Sequence, residues 1–230
     1  LFPTSDTVKK FYSHETEGFI APVKYLSIGC GTGTFEHSLA KGNADVTGLE
    51  TVTPLLESAN RKRRTQLMAL RFFQMSSLEM CRFLGKSFYH VISIPNGRII
   101  FTHDPTLMAK LFYDCKQLLV EDGKLIIALP NFEKYANEDV SKLPDRESIR
   151  VHLSSKILTK SDGKKYLFQE LETGNGKHLI VTRDAEIYPL TKNHIEEYAK
   201  SVGFTKFDFY SNFQRDEFTS ESDELVVVIS

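Results

Sequence analysis

Short apolar runs recurring between helix-length connections fill the first 130 residues, and they restrict the chain to few folds. Strands are predicted over Tyr25–Ile28, Asp45–Glu50, Leu70–Gln74, Phe88–Ile94 and Lys124–Leu129. Between them the pattern predicts helices over Phe35–Lys41 and Pro54–Arg64, a short one over 78–84, and a longer one from Pro105 to Leu119. Parallel neighbours need crossovers of this length, so the chain reads as α/β, with a Rossmann-like, doubly wound, mostly parallel sheet. The near-continuous apolar character of 88–94 suits a strand covered on both faces. Asp104-Pro105 supplies an N-cap and a first-turn proline, and Leu107, Leu111, Cys115 and Leu118 are expected on the buried stripe of the helix that follows. Asp122-Gly123 is expected to turn the chain into the fifth strand.

On either side of this core the pattern differs. Residues 5–18 form a predicted N-terminal helix, with Val8, Phe11 and Tyr12 on its apolar side and Gly18 at its end. After Asn131, the strand-like runs 149–159, 165–172 and 178–188 are joined by the hairpin turns "KSDGK" and "TGNGK", which predicts an antiparallel β insertion over 145–190. Thr191 to Val202 returns to helix, and "TKFDFYS" and "ELVVVIS" read as closing strands, the final one antiparallel. With 230 residues, 41% of them hydrophobic, and no linker or repeat, the chain is read as one domain over 1–230, its first 20 residues a helical segment.

Charge and cysteine usage narrow the function. Lys and Arg number 29 against 30 Asp and Glu, a formal charge of -1, which favours a small-molecule partner over nucleic acid or an anionic membrane. The "RKRR" run at 61–64 lies at a predicted helix C-terminus, where positive charge complements the dipole. Cys30, Cys81 and Cys115 lack metal-ligand or disulfide spacing and read as small buried thiols of a cytoplasmic protein. No metal is expected. No apolar run approaches the roughly 20 residues of a membrane span.

The stretch "YLSIGCGTGTFE" carries the chemistry. A strand running into Gly29, Gly31 and Gly33 and then a helix puts bare backbone and a helix N-terminus at the carboxyl edge of the sheet, where open α/β sheets bind ligands. At the end of the next strand stands Glu50, whose carboxylate can accept hydrogen bonds from both hydroxyls of a ribose. An adenosine-containing ligand follows. The dinucleotide pattern G-x-G-x-x-G wants glycine where Thr34 stands, which disfavours a nucleotide-dependent oxidoreductase.

In its G-C-G-T-G loop the sequence resembles the class I S-adenosylmethionine-dependent methyltransferases, and the resemblance covers most of residues 20–230. "VTGLETVTPLLESA" resembles that family's second strand and helix, with Leu55, Leu56 and Ala59 at its usual helix positions. "FFQMSSLEM" stands where its adenine-contacting loop lies, and "LLVEDGKLIIALPN" and "YPLTKNHIEEYAKSVGF" look like its later elements. The hairpins look most like the small-molecule branch. The resemblance implies S-adenosylmethionine as cofactor, held by Gly29, Cys30, Gly31, Gly33, Glu50, Thr51, Ser76, Ser77, Leu78 and Ile94. Three places depart from the family: Ser27 replaces the first-strand acid facing the ligand's amino acid end, Ser76 the aspartate near the adenine amino group, and Tyr89 the acid expected near the start of the fourth strand. They support a competing reading, a regulatory protein of this fold with weak or no catalysis.

Methyl transfer from a sulfonium is an in-line displacement with a good leaving group, so the protein must chiefly align an acceptor and exclude water. Candidates to act on a small-molecule acceptor come from the carboxyl ends of the fourth and fifth strands: Asn96, Arg98, His103 and Asn131. His103 could take a proton and Arg98 could meet a carboxylate, whereas Asn96 beside Pro95 also suits a turn. Tyr12 could cover the site or belong to the core.

Overall fold

The computed structural model describes residues 4–63, 69–135 and 138–230. In chain order the elements are α1 (Asp6–Glu15), β1 (Lys24–Ile28), α2 (Thr34–Lys41), β2 (Asp45–Glu50), α3 (Thr53–Arg63), β3 (Leu70–Gln74), α4 (Met80–Phe83), β4 (Tyr89–Ile94), α5 (Pro105–Leu118), β5 (Leu119–Pro130), α6 (Phe132–Tyr135), β6 (Val140–Glu147), β7 (Val151–Thr159), β8 (Lys165–Thr173), β9 (His178–Ile187), α7 (Lys192–Ser201), β10 (Phe207–Tyr210) and β11 (Glu224–Ile229). Arg64, the last residue of the basic run, lies outside the described residues.

The main sheet has the order β10-β11-β5-β4-β1-β2-β3. β1 pairs in parallel with β2 and β4, β2 with β3 and β4 with β5, while β11 runs antiparallel to both β5 and β10. The chain therefore leaves β1 in one direction for β2 and β3 and returns to its other side for β4 and β5. Open α/β sheets bind ligands at the carboxyl ends of the strands where such a reversal falls, here β1 and β4.

Alternation along the strands divides the core into two layers. Leu26 and Ile28 of β1 join a cluster with Met108 and Phe112 of α5 and Ile195 and Ala199 of α7, whereas Tyr25 joins Phe11 and Tyr12 of α1 and Leu56 and Ala59 of α3. Both faces of β1 and β4 are thus covered, which is why their sequences are apolar almost throughout.

Three local expectations are corrected. On α5, Leu107 is 38% exposed and the core face runs through Met108, Leu111, Phe112, Cys115 and Leu118. Two apolar rows adjoin on this helix, and packing takes the one containing Met108 and Phe112. Asp122-Gly123 does not precede β5 but lies within it, at an irregularity where pairing passes from Tyr89↔Leu119 to Val91↔Lys124. The second sheet, ordered β6-β7-β8-β9, begins at Val140 and not at 145. Its first strand carries Pro144, which is accommodated at a register shift between Leu143 and Arg146. Leu143, Ile157, Leu167 and Ile187 anchor this sheet in the same cluster as α5 and α7. The Tyr188 N–H donates to the Ile100 carbonyl at 2.8 Å, tying the end of β9 to the turn that follows β4. Among the described residues no helix is long and apolar enough to cross a membrane, and no group of three or more His, Cys, Asp or Glu could hold a metal ion.

Candidate functional site

Gly29, Gly31 and Gly33 all adopt left-handed backbone, with φ of 75°, 57° and 70°, a region that side chains disfavour. Each also meets a different neighbour. A Cβ on Gly33 would lie 2.6 Å from Phe72 Cζ, so this glycine lets α2 close onto β3. At Gly29 it would lie 2.7 Å from Arg98 Cγ, because the arginine stem crosses the loop there. At Gly31 it would meet nothing within 4 Å. The first and third glycines are packing contacts, and the middle one faces open space. The Gly29 and Cys30 N–H groups both donate to the Leu49 carbonyl, at 2.9 and 3.0 Å, and fasten the loop to the end of β2.

Glu50 ends β2 with only 4% exposure. Its Oε2 accepts from the Gly31 N–H at 2.9 Å, and its Oε1 from the Thr51 and Val52 N–H groups at 2.9 and 3.0 Å. A carboxylate offers about four acceptor sites, so three backbone donors leave room for one more bond. The Met75 N–H reaches the Glu50 carbonyl at 3.3 Å and brings the 75–78 loop alongside. There the Ser76 hydroxyl caps a short turn by accepting from the Leu78 N–H at 3.2 Å, and Ser77 and Leu78 are half-buried. The Ile94 side chain is buried in the α5 layer of the core.

Behind the glycine loop lies a polar cluster that sequence reasoning missed. Ser27 and Ser93 pair across β1 and β4, and both are 1% exposed. Tyr12, equally buried on α1, shares a 2.5 Å hydrogen bond with Ser93. The Ser27 hydroxyl donates to Glu36 Oε1, while Glu36 Oε2 is buried without a partner among the described residues. Burial pushes the Glu36 carboxyl up to about 7 against the opposing effect of Ser27. The available signal was Ser27 itself: where the strand lacks its acid, a carboxylate enters from the neighbouring helix. Lys62, within the basic run at the end of α3, folds back so that Nζ donates to the Thr32 carbonyl and Thr34 Oγ1 at 3.1 and 3.2 Å. Burial raises the Cys30 thiol, with Glu36 and Glu50 adding to the effect, so it is a packing group and no nucleophile.

The acceptor-side candidates separate clearly. Asn96 is exposed with φ of 57° and, with Gly97 at 67°, makes the turn after β4. Arg98 opens the following turn and lies within electrostatic range of Cys30. His103 is exposed just before the α5 cap. Asn131 is corrected: it is buried, its amide nitrogen donates to the Ser220 and Ser222 carbonyls at 2.9 Å, and its oxygen accepts from the Glu133 N–H. It clamps the loop before β11. Tyr89, at a departing position, is buried beside Phe88.

A family model described as a methyltransferase domain matches residues 26–123. A protein of Geobacillus sp. (strain WCH70) that bears a provisional methyltransferase name is 25% identical over 90% of this chain and 83% of its own. Among solved structures, a S-adenosylmethionine-dependent methyltransferase from Clostridium acetobutylicum aligns with TM-score 0.79 and 14% identity over 97% of this chain and 90% of that one. The CcbJ methyltransferase of Streptomyces caelestis gives 0.77 and 15% over 99% and 90%. The S-adenosylmethionine-bound amino pentose methyltransferase CalS10 of Micromonospora echinaspora gives 0.67 and 15% over 98% and 92%. Residues 26–123 thus match a methyltransferase domain, and the chain shares its fold with S-adenosylmethionine-dependent methyltransferases of known structure.

Proposed function

We propose that the protein transfers a methyl group from S-adenosylmethionine to a small-molecule acceptor in the crevice between the carboxyl ends of β1 and β4. The observation that carries this reading is the Gly31–Glu50 contact, because Gly31 presents bare backbone to open space while Glu50 holds that backbone in place. The residues present fit the cofactor: main chain at Gly31 faces open space with no side chain close by, Glu50 retains one acceptor site for a ribose hydroxyl, and Ser76 to Leu78 stand beside it for the base. When bound, the cofactor supplies an electrophilic methyl carbon.

The chain's own work is then alignment and exclusion of water. Arg98, laid across Gly29, borders the reacting region and is placed to orient an anionic group of the acceptor. The β6–β9 sheet, fastened to the turn after β4 through Tyr188 and Ile100, forms one wall of the acceptor pocket. Asn96 and His103 flank that turn as candidates for contact with the acceptor. Asn131, already occupied by its own loop, has no part in it.

The reading is tested with isotope-labelled S-adenosylmethionine and a panel of small amines, alcohols and carboxylates. Labelled product together with S-adenosylhomocysteine is the expected result. Absence of cofactor binding in calorimetry would exclude methyl transfer and favour the competing reading, a degenerate or regulatory protein of this fold that binds cofactor poorly.

A further inference from the structure

The segment that leads from α1 into β1 rests on a side chain that titrates. The Lys24 backbone N–H, at the start of β1, donates to Nδ1 of His90 in β4 at 2.9 Å. Nδ1 is therefore the unprotonated nitrogen, and the neutral ring carries its hydrogen on Nε2. Phe19, from the middle of the segment, stacks on the same imidazole with centroids 5.0 Å apart and planes 23° from parallel. An imidazolium can still stack on Phe19, so the Lys24 bond is what an added proton removes: a hydrogen on Nδ1 would point at the Lys24 N–H.

The surroundings do not welcome that proton. Charged groups on the elements packed here are Lys24 of β1, whose ammonium lies 4.0 Å over the Phe88 ring, Glu17 paired with His14 at the end of α1, and Lys124 of β5 bonded to Glu15. Among the described residues only Lys24 acts on the imidazole, and burial together with this cation holds it below its ordinary value. No carboxylate offsets the added charge. α1 itself is fastened separately, through Tyr12 to Ser93 and through Glu15 to Lys124 and Arg215. We propose that His90 is an acid-sensitive latch: neutral, it fastens residues 17–24 to β4; protonated, it releases the Lys24 amide and loosens that segment while α1 stays in place. Because the folded value lies below about 6.5, the ordinary value kept by the unfolded chain, the stability that the latch contributes is present above about 6.5 and is lost as pH falls through the folded value. Glu36, raised by burial, works in the opposite sense, so global unfolding mixes the two and the latch needs a local readout.

The test is hydrogen exchange followed by mass spectrometry, corrected for the intrinsic pH dependence of exchange, on the wild type and His90→Asn. The asparagine oxygen can take the place of Nδ1 as acceptor and does not titrate. Between about pH 7.5 and about pH 5, protection over residues 17–25 should fall about ten-fold in the wild type, the size of one lost hydrogen bond, and stay level in the variant. Equal falls in both proteins, or none in the wild type, overturn the latch. If His90→Asn does not fold, the wild type decides by NMR titration: the Lys24 amide shift should follow the same midpoint as the His90 ring, below about 6.5. A Lys24 amide that stays unmoved through that midpoint, or a His90 midpoint above the ordinary value, overturns the proposal. The outcome is independent of cofactor binding, so failure of the methyltransferase reading would leave it standing.

Discussion

The Gly31 backbone N–H and the Glu50 carboxylate meet at 2.9 Å, across the gap between the loop after β1 and the end of β2. Because the same carboxylate also takes the Thr51 and Val52 N–H groups, one side chain fixes three donors around the crevice. It organises the backbone of the candidate site. Glu50→Ala should therefore raise the dissociation constant for S-adenosylhomocysteine by at least ten-fold, about 1.4 kcal/mol. An unchanged constant in calorimetry would remove Glu50 from the site.

Two of the glycines should separate binding from stability. Gly31→Ala places a methyl group in open space at a left-handed position, so backbone strain should cost the fold about 1–2 kcal/mol of stability while cofactor affinity falls much further. Gly33→Ala adds a clash with Phe72 and Ala59 to the same strain, and should cost about 3 kcal/mol in denaturant unfolding. Equal stability losses, or equal affinity losses, would contradict the distinct surroundings of the two positions.

How far the sequence could be read depended on what burial leaves behind in it. β1 and β4 are apolar almost throughout because both their faces are covered, and the bounds expected for the neighbouring strands, Asp45–Glu50 and Leu70–Gln74, are those of β2 and β3. β6 was hidden because Pro144 and the charged residues around it resemble loop, and only the register shift with β7 makes a strand of them. The glycine loop and Glu50 were legible because backbone conformation demands those residue types. Glu36 was not, since an acid in the first turn of a helix has an ordinary explanation in the helix dipole, and only burial distinguishes it. Asn131 failed as a candidate for a related reason: its partners lie 88 to 91 residues away and cannot be foreseen from spacing.

A buried ion cluster fastens α1 over the sheet. Glu15, 7% exposed, receives Lys124 from β5 at 2.8 Å and Arg215 from the loop after β10. Because α1 also carries Tyr12 to Ser93, loosening this helix should disturb both the core and the polar cluster behind the glycine loop. Glu15→Gln leaves two half-buried cations without their charge partner and should lower unfolding free energy by about 2 kcal/mol. A loss below about 0.5 kcal/mol, the size found for exposed pairs, would mean that solvent screens the cluster.

Glu36 should also make stability depend on pH. Its carboxyl is raised from 4.5 to about 7 by burial, so the folded chain keeps a proton that the unfolded chain has released. Where the folded state binds more protons, unfolding free energy falls as pH rises. The contribution is fully present below 4.5, declines between 4.5 and about 7, and is gone above the folded value. Linkage puts the total at about 3 kcal/mol. Glu36→Gln cannot titrate, so the wild type should lose stability relative to this variant across that window, and the two curves should run parallel at higher pH. Denaturant titrations at several pH values compare them directly. Parallel curves throughout would mean that Glu36 is ionised in the folded protein, its second oxygen satisfied by water.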